Sequence, residues 1–117
     1  MHRIARYLAV LLLSLVIDPP KIATHPSNSS VELGGEVTLA CRASGDPLPT
    51  FKWYKDNIPM VETDDINPFV PELVLKDALA QDEAWYLCEA TNVAGTVRSN
   101  SASLKVFGEQ QNKMLIC

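Results

Sequence analysis

The sequence predicts an all-β chain folded as an antiparallel β-sandwich of about seven to nine short strands. Three observations predict it. Apolar residues alternate with polar ones in several short runs, as a half-buried strand requires. Turn-forming residues separate those runs, notably Gly34-Gly35, Asp56-Asn57 and Asn92-Val93-Ala94-Gly95. No helical period of useful length appears, and there are no internal repeats.

Pro19-Pro20 marks an extended entry that cannot be helical. Ile22 sits in a first strand, and Val31 with Leu33 in a second that closes at Gly34-Gly35. Val37, Leu39 and Cys41 alternate with Glu36, Thr38 and Ala40, which gives a strand with one apolar face. Gly45 to Pro49 reads as a loop. Phe51 and Trp53 then alternate with Lys52 and Tyr54, and Asp56-Asn57 supplies a tight turn because both residue types tolerate a left-handed backbone. Residues 58 to 72 carry Pro59, Pro68 and Pro71 and support an edge strand at most. Regularity returns at Leu73-Val74-Leu75. Tyr86, Cys88 and Ala90 share one strand face, with Trp85, Leu87 and Glu89 on the other. Ala102, Leu104 and Val106 point inward in the last strand.

At 117 residues the chain suits one domain with a modest core. Its net charge of −4 and lack of clustered Lys or Arg argue against nucleic acid and anionic membrane surfaces as partners. Residues 1–17 stand apart. Arg3 and Arg6 precede an apolar run from Tyr7 to Ile17, which has the length and flank of a secretory signal and is too short to span a bilayer. An uncleaved anchor and a stray N-terminus joined to a domain fragment are the alternatives. In the oxidising compartment such a signal implies, a disulfide is expected, and of the three cysteines Cys117 is the obvious odd one.

The spacing of the remaining motif is specific. Trp53 follows Cys41 by 12 residues, and Cys88 follows Trp53 by 35. Before Cys88 runs Asp82-Glu83-Ala84-Trp85-Tyr86-Leu87-Cys88. Together with Leu73-x-Leu75, Ala78 and the Asn92-x-x-Gly95 turn, this resembles the immunoglobulin superfamily, and within it the intermediate or I-set subclass of adhesion and axon-guidance receptors. The resemblance covers residues 19–107, leaving 108–117 as a tail. It implies a Greek-key sandwich in which Cys41 and Cys88 form the inter-sheet disulfide, Trp53 covers it, and Tyr86 bonds to backbone near Asp82, with Leu75 in the same core pin.

Those are scaffold roles, and function has to come from what the scaffold exposes. Alternation places Trp85 and Leu87 on the outer sheet face, with Tyr54 beside them on the neighbouring strand; this cluster is the candidate partner-binding face. Asn28-Ser29-Ser30 is a glycosylation sequon. The loops 45–49 and 92–96 can also carry recognition. Enzyme readings fail on inventory: only His2 and His25 exist, no nucleophile motif accompanies them, and no metal-ligand spacing or phosphate loop is present. Asp64-Asp65 reads as a solvated loop. No cofactor is expected. Cys117 is not a prenylation box; it can pair two chains, but the favoured reading of the tail is a truncated or frame-altered end of a longer protein. The sequence therefore predicts a non-catalytic protein-binding module, secreted or at the cell surface, with a homophilic or other protein partner. An intracellular structural module of the muscle type and a small secreted antagonist are the alternatives.

Overall fold

The computed structural model describes residues 17–61 and 67–108. The expectations for the signal-like segment (Ile17 apart), for Asp64-Asp65 and for Cys117 lie outside the described residues. Among the described residues there are ten strands: β1 (Asp18–Thr24), β2 (Ser29–Glu32), β3 (Val37–Ala40), β4 (Arg42–Asp46), β5 (Thr50–Lys55), β6 (Ile58–Pro59), β7 (Glu72–Leu75), β8 (Ala84–Asn92), β9 (Gly95–Arg98) and β10 (Ala102–Phe107). A single 3-10 turn, Ala80–Asp82, precedes β8.

One layer runs in the order β2-β10-β8-β5-β6, with β9 also on β8. The other is made by β1 on β4 and β3 on β7. Only Cys41 separates β3 from β4, so these are two halves of one strand that pairs first with β7 and then with β1. All pairings are antiparallel except β2 with β10. The protein is an all-β immunoglobulin-like sandwich.

The core is the set of inward residues from both layers. Leu39, Cys41 and Leu73 from one layer meet Trp53, Tyr86, Cys88 and Leu104 from the other, each at most 1% exposed. Burial of side chains this size contributes about 1.5–3 kcal/mol for each aliphatic or aromatic side chain. Two turns show why their residues are needed. Gly34 has φ of 82° in the β2–β3 turn, a backbone that favours glycine. Asp56 and Asn57, at φ 49° and 67°, close the β5–β6 hairpin.

Two elements differ from the sequence reading. The stretch Gly45-Asp46, expected in a loop, completes β4, because Asp46 and Ser44 pair with Asp18 and Lys21 of β1. Its alternating polar residues carry no apolar signal; the pairing alone makes it a strand. The residues after the Asn92–Gly95 turn form β9, which pairs back on β8 from Glu89 to Asn92.

Candidate partner-binding face

The face is held from behind by the core pin. In register, Trp53 lies opposite Cys88 on adjacent strands. Cys88 is disulfide-bonded to Cys41 of the opposite layer, with the two Cα atoms 6.5 Å apart. The indole therefore lies against the cross-link. Its Nε1–H is buried without a hydrogen-bond partner among the described residues. Tyr86 donates its hydroxyl to Asp82 O at 2.6 Å, and the Asp82 carboxylate accepts Leu79 N at 2.8 Å, so the turn before β8 is tied at both ends. Leu75, assigned to the pin on sequence grounds, is only partly buried and packs at the edge of the core; Leu73 is the fully buried leucine of β7.

Burial pushes the Tyr86 phenol up to about 12, with the negative charges of Asp82 and Asp56 adding to the shift. The sign follows directly. Below pH 10 the phenol is neutral in both folded and unfolded chains. Between pH 10 and 12 the unfolded chain ionises and the folded one does not, so stability falls by roughly 1.4 kcal/mol per pH unit from this group. Tyr86→Phe is expected to flatten that alkaline slope in urea melts between pH 9 and 12. It is also expected to lower stability near neutral pH by about 1 kcal/mol for the lost bond to Asp82 O.

On the outer side the alternation of β8 places Trp85, Leu87 and Glu89 away from the core. Trp85 is 56% exposed. Leu87 and Tyr54 are not: each is 8% exposed. This corrects the expectation of a three-residue exposed cluster. Tyr54 and Leu87 are register partners and cover one another. The Arg98 guanidinium lies 4.4 Å from the Tyr54 ring centroid, and Lys52 Nζ approaches the same ring at 5.9 Å. The Tyr54 hydroxyl donates to Glu89 Oε2 at 3.2 Å, and Arg98 Nε donates to the same oxygen at 2.9 Å. The hydrogen bond to Glu89 is the main reason the Arg98 guanidinium is held above its ordinary value. The middle of the face is thus a closed aromatic and charged network, and Trp85 stands exposed at its end.

Trp85 is fixed at the backbone. Asp56 N donates to Trp85 O at 2.8 Å, and Trp85 N donates to Asp56 Oδ1 at 2.9 Å. Ser103 of β10 is its register partner on the other side. Asn28 is exposed, and its Oδ1 accepts Ser103 N at 2.9 Å. His25 Nδ1 accepts Asn100 N at 2.9 Å, a structural bond at the turn out of β1. Among the described residues no three His, Cys, Asp or Glu side chains converge to hold a metal ion, and no helix is long and apolar enough to cross a membrane.

The loops 45–49 and 92–96 lie at one end of the sandwich, since Thr50 and Thr91 are register partners. Sequence reading missed the residue that joins them. Asn92 Nδ2 donates to Asp18 O at 2.7 Å and to Pro47 O at 3.0 Å, while its Oδ1 accepts Ala94 N at 2.8 Å. Asn92→Ala is expected to cost about 1–3 kcal/mol and to raise hydrogen exchange in β1 selectively. Uniform exchange across the chain would show that Asn92 does not clamp β1. Ser99, the one buried polar residue among those described, was also missed: its hydroxyl accepts Cys88 N at 2.9 Å and its own N–H bonds back to Cys88 O.

The arrangement defines a class of protein, a two-layer β-sandwich whose layers are pinned by a disulfide. A family model described as immunoglobulin domain matches residues 19–92, and the chain belongs to that family. It is 39% identical over 100 residues to Roundabout homolog 2 of Homo sapiens, covering 75% of this chain and 7% of that protein. It is 36% identical over 89 residues to the muscle M-line assembly protein unc-89 of Caenorhabditis elegans, covering 71% of this chain and 1% of that protein. Among solved structures it resembles the titin M3 domain, with a TM-score of 0.67 and 30% identity over 78% of this chain and 99% of that one. The chain thus spans less than a tenth of these curated relatives. Its relatives include both cell-adhesion receptors and muscle proteins.

Proposed function

We propose that this immunoglobulin domain is an extracellular, non-catalytic protein-binding module that acts in cell adhesion or receptor–ligand recognition. The observation that carries the reading is Trp85, a half-exposed tryptophan on a strand whose neighbours are buried. A large rigid aromatic held in that way is the residue type that anchors protein interfaces. Leu87 lies on the same outer face two residues along β8, paired with Tyr54 of β5. The Cys41–Cys88 disulfide and the exposed Asn28 sequon support an oxidising, glycosylating compartment, reached through residues 1–17 as a signal. The pin residues Trp53, Tyr86, Asp82 and Leu75 serve the scaffold in this reading.

Two arms test it. Purified chain on beads is expected to aggregate, or to bind cell surfaces, in a Trp85-dependent way. Trp85→Ala is expected to leave the urea midpoint within about 0.5 kcal/mol of wild type while weakening that association at least tenfold. Equal loss of stability, or unchanged association, overturns Trp85 as the anchor. Self-association in ultracentrifugation marks a homophilic adhesion module; a strictly monomeric product that competes for a receptor's ligand marks a secreted antagonist.

The similarity to unc-89 and titin M3 favours a second reading, an intracellular structural module of muscle assemblies. In that setting Cys41 and Cys88 are expected to be reduced. Cys117 as an intermolecular disulfide belongs to the extracellular reading alone.

A further inference from the structure

Trp85 does not stand alone. It lines a surface cleft of about 440 Å³ together with Asp56, Glu83, Ser103 and Lys105. Asp56 and Glu83 are each fixed through one carboxylate oxygen by a backbone N–H: Trp85 N donates to Asp56 Oδ1, and Val106 N donates to Glu83 Oε1, both at 2.9 Å. The second oxygen of each makes no hydrogen bond, and neither carboxylate enters an ion pair, among the described residues. Lys105, on the rim, offsets one of the two charges, so the cleft keeps a net negative charge on a chain of net charge −4.

We propose that this cleft seats an arginine side chain of a partner protein, its guanidinium stacked on the Trp85 indole and paired with Asp56 and Glu83. The inference rests on the reading of Trp85 as the centre of a partner-binding face and names the chemistry of that partner. An indole face carries the negative part of its quadrupole and attracts cations more strongly than any other aromatic side chain. Carboxylates within the same cleft supply the in-plane acceptors that a planar, five-donor guanidinium is built to engage. Lysine offers a point charge without the flat surface, so arginine fits better. The two carboxylates are already oriented by backbone bonds, so little ordering is required on binding. A neutral apolar partner would leave both free oxygens desolvated at the interface and unpaired, which is unfavourable.

The test uses the full chain, oxidised and nitrogen-15 labelled, titrated with a short peptide carrying two arginines, and with its twin carrying citrulline in their place. Citrulline keeps the shape and removes the charge. The expected result is a saturable shift of the Trp85 indole N–H signal with the arginine peptide, weakened by salt, while the buried Trp53 indole stays unmoved as internal reference. The citrulline twin is expected to bind about tenfold more weakly or worse. Asp56→Asn with Glu83→Gln removes the charges but keeps the acceptor oxygens for Trp85 N and Val106 N, and Asn tolerates the φ of 49° at position 56. That double variant is expected to keep the wild-type unfolding midpoint and to lose arginine binding about tenfold. Equal binding of the two peptides, no saturable shift with either, or undiminished binding by the double variant each overturns the arginine site. The face reading fails separately, when Trp85→Ala leaves bead aggregation and cell-surface binding unchanged.

Discussion

Replacing Cys41 and Cys88 together by alanine is expected to lower the unfolding free energy by about 4 kcal/mol. The cross-link joins residues 47 apart in sequence. On the chain-entropy model a closed loop of that size restricts the unfolded ensemble by roughly that amount. Both sulfurs are fully buried, so their removal also leaves a small gap in the core. Alanine is the better probe than serine, since a hydroxyl at either site would add an unsatisfied polar group. Small domains are stable by only about 5–15 kcal/mol in total, so this change removes a large share of it. Urea melts of the double variant against the oxidised wild type check the value. A difference under about 1 kcal/mol would show that hydrophobic packing, not the cross-link, holds the two layers together.

Trp53→Ala is expected to cost about 3–5 kcal/mol, the range for emptying a large aromatic site in a well-packed core. Trp53 is 1% exposed and sits in register with Cys88, so the space it leaves opens onto the disulfide. Trp53→Phe is expected to be much milder: it keeps most of the ring contact and removes the orphaned indole N–H. Because Trp53 and the disulfide lie in contact, the alanine changes at all three positions should not add; once the cavity at one exists, the other loses less. A double-mutant cycle read from urea midpoints measures that coupling, and strict additivity would mean the two act as independent supports.

Much of this architecture is legible in the sequence, for a reason specific to strands. A period of two assigns each residue to a face without ambiguity. Leu39 with Cys41, and Tyr86 with Cys88 and Ala90, are placed inward by alternation and are buried in the structure. What alternation cannot give is coverage. It assigns Tyr54 and Leu87 correctly to the outer face, yet their burial depends on each other and on Arg98, brought alongside only when β9 folds back on β8. The same limit hid the second half of the β3–β4 strand, whose strand state comes from Asp18 and Lys21 far earlier in the chain. Leu73 and Leu75 share one alternation pattern and one residue type. Their different burial is set by Leu73 facing Leu39, at the centre of the layer, while Leu75 faces Val37 nearer its edge. Asn92 and Ser99 carry no pattern at all; each is recognisable only once distant backbone groups are brought to it.

The candidate face shows the same division. Trp85 is identified by sequence because an aromatic in the outward phase of a core strand is unusual. The carboxylates that give it a chemical preference are not adjacent in one motif: Asp56 comes from the β5–β6 turn and Glu83 from the residue before β8. The sandwich brings them to one cleft, and the charge they supply is what turns an exposed aromatic into a site with a definite partner chemistry.

We infer an extracellular module whose two layers are clamped by an oxidised Cys41–Cys88 pair. The most direct measurement is maleimide trapping and intact mass of the product from a cell that makes it. Product is expected in the medium, with Cys41 and Cys88 unreactive until both denaturant and reductant are added, and with a mass that falls on endoglycosidase treatment at Asn28. A product confined to the cytosol, with both cysteines labelled on unfolding without reductant and no glycan, would contradict it and point to the muscle-type structural module.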